Sequence, residues 1–420
     1  MGLKTPERPV SAANGEFPLD GSVARVALSL LAPSVSAAGA GGQQPSADSW
    51  AMVQRVVGPR LLPLLGHVAD ARGVVLPPAV RLAVAAATRD SQMAWMRRRP
   101  ALDAMLRALR VAGLEASVLK GMALARTTYP APALRFMTDI DLWLHAPDAR
   151  AALAPLAPLG WRMPAWRDLG WSDPSAVIGL AHGEPQLLVE IHAEPNSLQR
   201  VVPSLTDTMG ARTTTVDGWR VLAPSDQLLH LATHAHSHGY AAGIQGLVDI
   251  AWFLSRHRDA IDWDQAAIEW KQAGGARCVA VALSATEQLF GVSAPEAAWT
   301  ALDASGVREI AREAAESAWW THLTGENPQA IFAAGPPMAV TRALLRQLRV
   351  FLREKQGFDA GAPRRLVRRL VRLAGRTVPR HLHAIARGEY RGVSGAMRRD
   401  RSARHAALVR ALSAPATDRE

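Results

Sequence analysis

The amino-acid sequence predicts an α+β fold, with a short mixed β-sheet flanked by N-terminal helices and followed by an all-helical region. Three observations carry this. Apolar residues recur at helical spacing up to Gly113 and again after Pro224. Between those points the period changes to short alternating or apolar runs punctuated by Gly and Pro. Within that middle stretch strand-like and helix-like runs alternate, the mark of an α/β unit on a small sheet.

Taken in order, residues 1–48 are small, polar and Gly-rich and read as linker with one short helix, Val23–Leu31. Arg25 interrupts that apolar run and Pro33 closes it, so it is an amphipathic helix and not a signal-peptide core. Residues 49–97 form a helical cap, punctuated at Pro77-Pro78. A core is expected over 98–225. Pro100 is expected to open a helix through Leu102, Met105, Leu106 and Leu109, which Gly113 closes. Leu114–Leu119 reads as a strand, Met122–Thr128 as a helix and Tyr129–Ala133 as a rigid Pro-rich loop. A second strand falls within Leu134–Leu144, a short helix over Asp148–Leu156, and a third strand over Leu187–His192. A helical domain over 226–335 follows: Gln227–His234, Ile244–Leu254, Trp263–Ala273, Arg277–Leu289 and Val307–Leu323. A basic tail over 336–420 is expected to be helical in Val340–Arg353 and Arg364–Arg376.

No apolar run approaches the roughly 18 residues of a membrane span. The single cysteine, Cys278, excludes an internal disulfide framework and a cysteine-rich zinc site, and a cytoplasmic location is the default. Net charge is +11, but residues 342–410 hold 19 basic against 4 acidic residues, a balance of +15 that leaves the rest at −4. The basic character therefore belongs to the tail. Only four of the 48 basic residues are Lys, one of them Lys120 at a strand end before Gly121. A compact ammonium suits phosphate as a point charge where the bulky Arg fork does not. Chance placement is the competing reading.

The chemistry centres on Asp139-Ile140-Asp141. In an extended strand the two aspartates share a face, with Ile140 behind them. Two close carboxylates repel, and a hard divalent cation such as Mg²⁺ relieves that repulsion while leaving positions for water and phosphate. In Leu187–His192, Leu188, Glu190 and His192 share a face opposite Leu187, Val189 and Ile191.

Leu119-Lys120-Gly121, Arg135–Leu142 with its Asp pair, and Val189-Glu190-Ile191-His192 occur in that order. Over roughly residues 50–255 this pattern resembles the uncharacterised nucleotidyltransferase family of the DNA polymerase β-like superfamily. The resemblance implies a nucleotidyltransferase core in which Asp139 and Asp141 bind metal and Glu190 is the third carboxylate. Lys120 and Gly121 would face the phosphates, and Lys120 with Arg135 would offset charge developing there. It also places His234 and Asp249 on helices near the cleft. One departure stands out: the superfamily has Gly-Gly or Gly-Ser after its first strand, and this chain has Lys120-Gly121-Met122. The implied reaction is Mg²⁺- or Mn²⁺-dependent transfer of a nucleoside monophosphate from an NTP to a hydroxyl acceptor: small molecule, saccharide or protein. Glu190 is a metal ligand or the general base. The alternatives are a nucleotide-binding regulatory protein on the same fold, or an RNA-modifying transferase using the basic tail. Three retained carboxylates favour an enzyme.

His192, beside Glu190, can contact phosphate, orient a carboxylate or be structural. His230 and His234 share a helical face, which suits zinc in spacing but lacks the Glu of a metalloprotease pattern. In the tail, Leu366, Val367, Leu370, Val371 and Ala374 lie opposite arginines. Residues 364–380 can dock on the protein, on an anionic membrane surface as a peripheral anchor, or on a polyanion such as nucleic acid. Sparse aromatics weigh against base stacking.

Overall fold

The computed structural model describes residues 22–33, 47–163, 177–183, 186–193, 208–237, 240, 243–302 and 306–324. The tail helices, the 364–380 surface and most of the 1–48 linker lie outside the described residues. The α+β architecture expected from sequence is the one observed.

Among the described residues three helices lead: α1 (Ser22–Ser29), α2 (Ala47–Ala71) and α3 (Pro78–Val111). Pro100 does not open a helix, contrary to the sequence expectation; it lies inside α3. A mid-helix proline costs about 3 kcal/mol. The buried stripe of α3 nevertheless continues across it, with Trp95 and Arg98 before and Leu102, Met105, Leu106 and Leu109 after, so packing outweighs the local penalty. Gly113 ends the helix as expected, at φ 76°.

The sheet comprises β1 (Ser117–Leu119), β2 (Ile140–Trp143), β3 (Val177–His182), β4 (Leu187–His192), β5 (Thr214–Val216) and β6 (Trp219–Val221). Between the strands lie α4 (Lys120–Thr127), α5 (Ala146–Ala151) and α6 (Leu153–Leu156). Strand order is β3-β4-β2-β1-β6-β5, and the sheet is mixed: β2–β4 and β1–β6 pair parallel, the other neighbours antiparallel. β3, β5 and β6 were not anticipated. β5 and β6 join through Asp217-Gly218, both at positive φ, the two-residue turn whose twist matches a hairpin.

Among the described residues six helices follow: α7 (Pro224–Ser237), α8 (Gln245–His257), α9 (Trp263–Gln272), α10 (Ala276–Phe290), α11 (Glu296–Leu302) and α12 (Val307–Thr324). None of the described helices is long and apolar enough to cross a membrane.

The sheet divides two apolar cores. On one face Val118, Ile140, Leu142, Val189 and Ile191 pack with the Leu102, Met105 and Leu109 stripe of α3. Leu119 and Trp143 belong instead to a second core, built by α1 and α2 together with α7–α12. Trp252 of α8 bonds through Nε1 to the Leu31 carbonyl at 2.9 Å, stitching the first helix to that core.

Candidate active site

Strand register assembles the site. Leu119 at the end of β1 is opposite Asp141 in β2, and Asp141 is opposite Glu190 in β4. Residues paired across strands project to the same face, so Asp141 and Glu190 stand side by side. The next pair on that face is Trp143 and His192. The intervening Ile140, Leu142, Val189 and Ile191 point to the opposite face and are fully buried. The alternation expected for Leu187–His192 is the burial pattern observed.

Asp139 departs from the sequence reading. It lies one residue before β2, in a bend, and is partly exposed. Two contacts shape that bend. Arg98 of α3 donates to the Thr138 carbonyl at 2.7 Å, and Arg135 is anchored on α8. Sequence periodicity cannot see either contact. Burial raises the Asp139 carboxyl above its ordinary range, and the like charges of Asp141 and Glu190 raise it further.

Asp141 is 5% exposed and behaves in the opposite sense. Its Oδ1 accepts from Lys120 Nζ at 2.8 Å and from His192 Nε2 at 2.9 Å. Burial pushes its carboxyl up, but Lys120 and the His192 hydrogen bond outweigh burial and hold it well below the usual carboxylate range. The same balance acts on Lys120: burial disfavours its charge, yet Asp141, Glu190 and Asp139 together hold its ammonium above the usual value. His192 Nε2 is 3.8 Å from Glu190 Oε2.

Lys120 opens α4 with φ 41°, the left-handed region that disfavours any residue with a Cβ. Gly121 follows at a close approach: a Cβ there would lie 3.2 Å from Met137 Cβ. The helix start thus presses on the Arg135–Met137 loop.

Arg135 and Asp249, anticipated separately at phosphate and cleft, are brought together in one ion pair. Arg135 Nε and Nη2 donate to the two carboxylate oxygens of Asp249, each at 2.7 Å. Burial disfavours the guanidinium charge, but Asp249 more than compensates and raises its proton affinity. His234 lies on α7, its ring stacked against His230 with centroids 6.3 Å apart. Among the described residues no third donor joins these two histidines in a metal-binding group.

A cavity of about 650 Å³ lies at the other end of α4, lined by Arg126, Thr128, Tyr129, Trp252 and Arg256 among others. None of the carboxylates or Lys120 lines it.

Asp141, Glu190 and His192 offer ligand atoms all within 4.8 Å of one another, the group among the described residues able to hold a metal ion. Two carboxylates and an imidazole fit a divalent cation chemically. Asp139 stands outside this group, close enough to feel the charges of Asp141 and Glu190. Arg98 was missed from sequence, because nothing in Arg97-Arg98-Arg99 marks the middle residue as the buried one.

The sequence model of a family described as uncharacterised nucleotidyltransferase matches residues 46–291, and the chain belongs to that family. Neither a curated protein nor a solved structure matches the chain.

Proposed function

We propose that this member of the uncharacterised nucleotidyltransferase family moves a nucleoside monophosphate from an NTP to a hydroxyl acceptor, releasing pyrophosphate. The observation that carries the reading is the pairing of Asp141 with Glu190 on adjacent parallel strands, with Asp139 at the strand entrance. Three carboxylates crowd one another there, and burial together with their like charge raises the proton affinity of Asp139. A divalent cation, Mg²⁺ or Mn²⁺, held by Asp141 and Glu190 with Asp139 or His192 beside them, would supply Lewis-acid stabilisation of the transferring phosphoryl group.

The chain's own residues do the rest. Lys120 offers an ammonium at the first residue of α4, where unsatisfied backbone N–H groups also favour an anion. Glu190 binds the cation or takes the acceptor's proton. His192 either joins the cation's ligands or, through the Nε2 proton it donates, orients Asp141. Arg135 acts at one remove, fixing the loop that carries Asp139.

A second reading, a nucleotide-binding protein without turnover, draws on Asp141 Oδ1, which two protein donors already engage. Incubation of the full chain with labelled NTPs and Mg²⁺ or Mn²⁺ separates the two. Pyrophosphate release that disappears in Asp141→Asn supports transfer. Saturable nucleotide binding with no release under any NTP and acceptor mixture sinks it in favour of the second reading.

A further inference from the structure

Asp141 Oδ1 is an unusual place for a metal to enter. A carboxylate oxygen has two in-plane lone pairs. Here one faces Lys120 Nζ at 2.8 Å and the other His192 Nε2 at 2.9 Å. The lysine is held there at a cost: its backbone sits at φ 41°, where a residue with a Cβ is about 1–2 kcal/mol less favourable than in the right-handed region. Glycine would relieve that strain, so the feature is tied to the side chain. Asp141, Glu190 and Asp139 all attract the ammonium, whose side chain is 12% exposed. It therefore lies in the same electrostatic well that draws a divalent cation.

We propose that Lys120 is an exchangeable internal cation that competes with the divalent metal for Asp141 and moves onto the triphosphate when nucleotide arrives. The inference rests on the nucleotidyl-transfer reading and deepens it. A lysine has a flexible four-carbon stem and three rotatable donors, so its head can change partners while its backbone stays in place. The phosphates supply the oxygens that let the ammonium leave Asp141. Metal and nucleotide then assist each other's binding, and by linkage the assistance is reciprocal.

The test is Mn²⁺ binding to the full chain, followed by electron paramagnetic resonance, with and without a non-hydrolysable NTP. For the wild type, nucleotide should tighten Mn²⁺ binding by about tenfold or more. Lys120→Met and Lys120→Gly should each bind Mn²⁺ alone about tenfold more tightly than wild type, with the nucleotide effect reduced to about threefold or less. The glycine variant guards against misfolding, since it suits the left-handed backbone; both variants lose the Asp141 ion pair, and the glycine variant should lose less melting temperature than Lys120→Met. Lys120→Arg, which keeps the charge, should bind Mn²⁺ alone no more tightly than wild type. If the Met and Gly variants, folded, bind Mn²⁺ no more tightly than wild type, the competition is overturned while nucleotidyl transfer stands. If no variant and no wild-type sample binds Mn²⁺ in either condition, the transfer reading falls and takes this one with it.

Discussion

Arg135 grips Asp249 at two points, Nε on one carboxylate oxygen and Nη2 on the other, both at 2.7 Å, across 114 positions of sequence. Tyr129 adds its hydroxyl to the same carboxylate at 2.7 Å, and Gln245 its amide at 3.3 Å. The loop entering the Asp pair is thereby fastened to α8, and the nucleotidyltransferase sheet to the helical region.

Breaking that pair should be costly, because the side chains are only 13% and 4% exposed. Removing one partner strands a buried charge, a loss of about 3–5 kcal/mol. Asp249→Ala and Arg135→Ala should each lose about that much in chemical denaturation, and the double variant less than their sum. Losses below about 1 kcal/mol, the range of an exposed pair, would remove its structural role.

The two aspartates should respond oppositely to amidation. Asp139 has a raised proton affinity in the folded protein, so its charge lowers stability above its own pKa; Asp139→Asn should leave the melting temperature at pH 7 unchanged or higher. Asp141 has a depressed one, so its charge contributes stability above the ordinary carboxylate pKa, lost only as pH falls through the lower folded value. Asp141→Asn should therefore lower the melting temperature. Both should reduce turnover by about a hundredfold or more. A higher melting temperature for Asp141→Asn would contradict the ion-pair account.

Cys278 should be silent in the native protein. It is buried, and burial pushes its thiol up to about 12. A thiol-specific chromogenic reagent should find no reactive group at pH 8 and one in denaturant, matching the single cysteine of the chain. As pH rises above 9, the unfolded chain releases this proton while the folded protein keeps it, so stability should fall towards pH 12. Rapid native labelling would show that the α10 environment opens.

The basic tail should govern location and not turnover. Truncation after Gln356 should preserve pyrophosphate release while abolishing retention on anionic vesicles, and that retention should weaken steeply with salt. If the tail docks on the membrane through the apolar positions read from its sequence, Leu370→Glu should also release the full chain. Lost turnover with a folded core would place the tail in the active site. Retention of the truncated chain on vesicles would move the contact elsewhere.

How much was legible in the sequence varies by residue. Glu190 and His192 were placed correctly because a half-buried strand shows its faces in a period of two. Asp139 reads as part of the strand because periodicity does not say where a strand begins. That limit is imposed by Arg98 and Asp249, which act on the loop from 40 and 114 positions away. The rarity of Lys120 sets it apart in the sequence, but its partner is not legible there, since Asp141 faces it only after β1 and β2 pair. The β5–β6 hairpin is legible in principle: Asp217-Gly218 between short runs of β-branched and aromatic residues is a strong turn signal. β3 is not, because Gly179 interrupts its run and nothing alternates.

The bond from Trp252 to Leu31, spanning 221 positions, has a consequence for biosynthesis. At about 5–20 residues per second, helices α1 and α2 leave the ribosome on the order of 10–45 seconds before α8 exists to cover them. Their apolar faces and the turn that follows α1 include Leu31, Leu61, Leu64 and Leu65, all nearly or wholly buried in the finished protein. During translation that surface has only nascent chain, chaperone or other polypeptides to meet. Expression yield should therefore depend on holdase capacity more than on the stability of the completed fold, and slower translation should lower it.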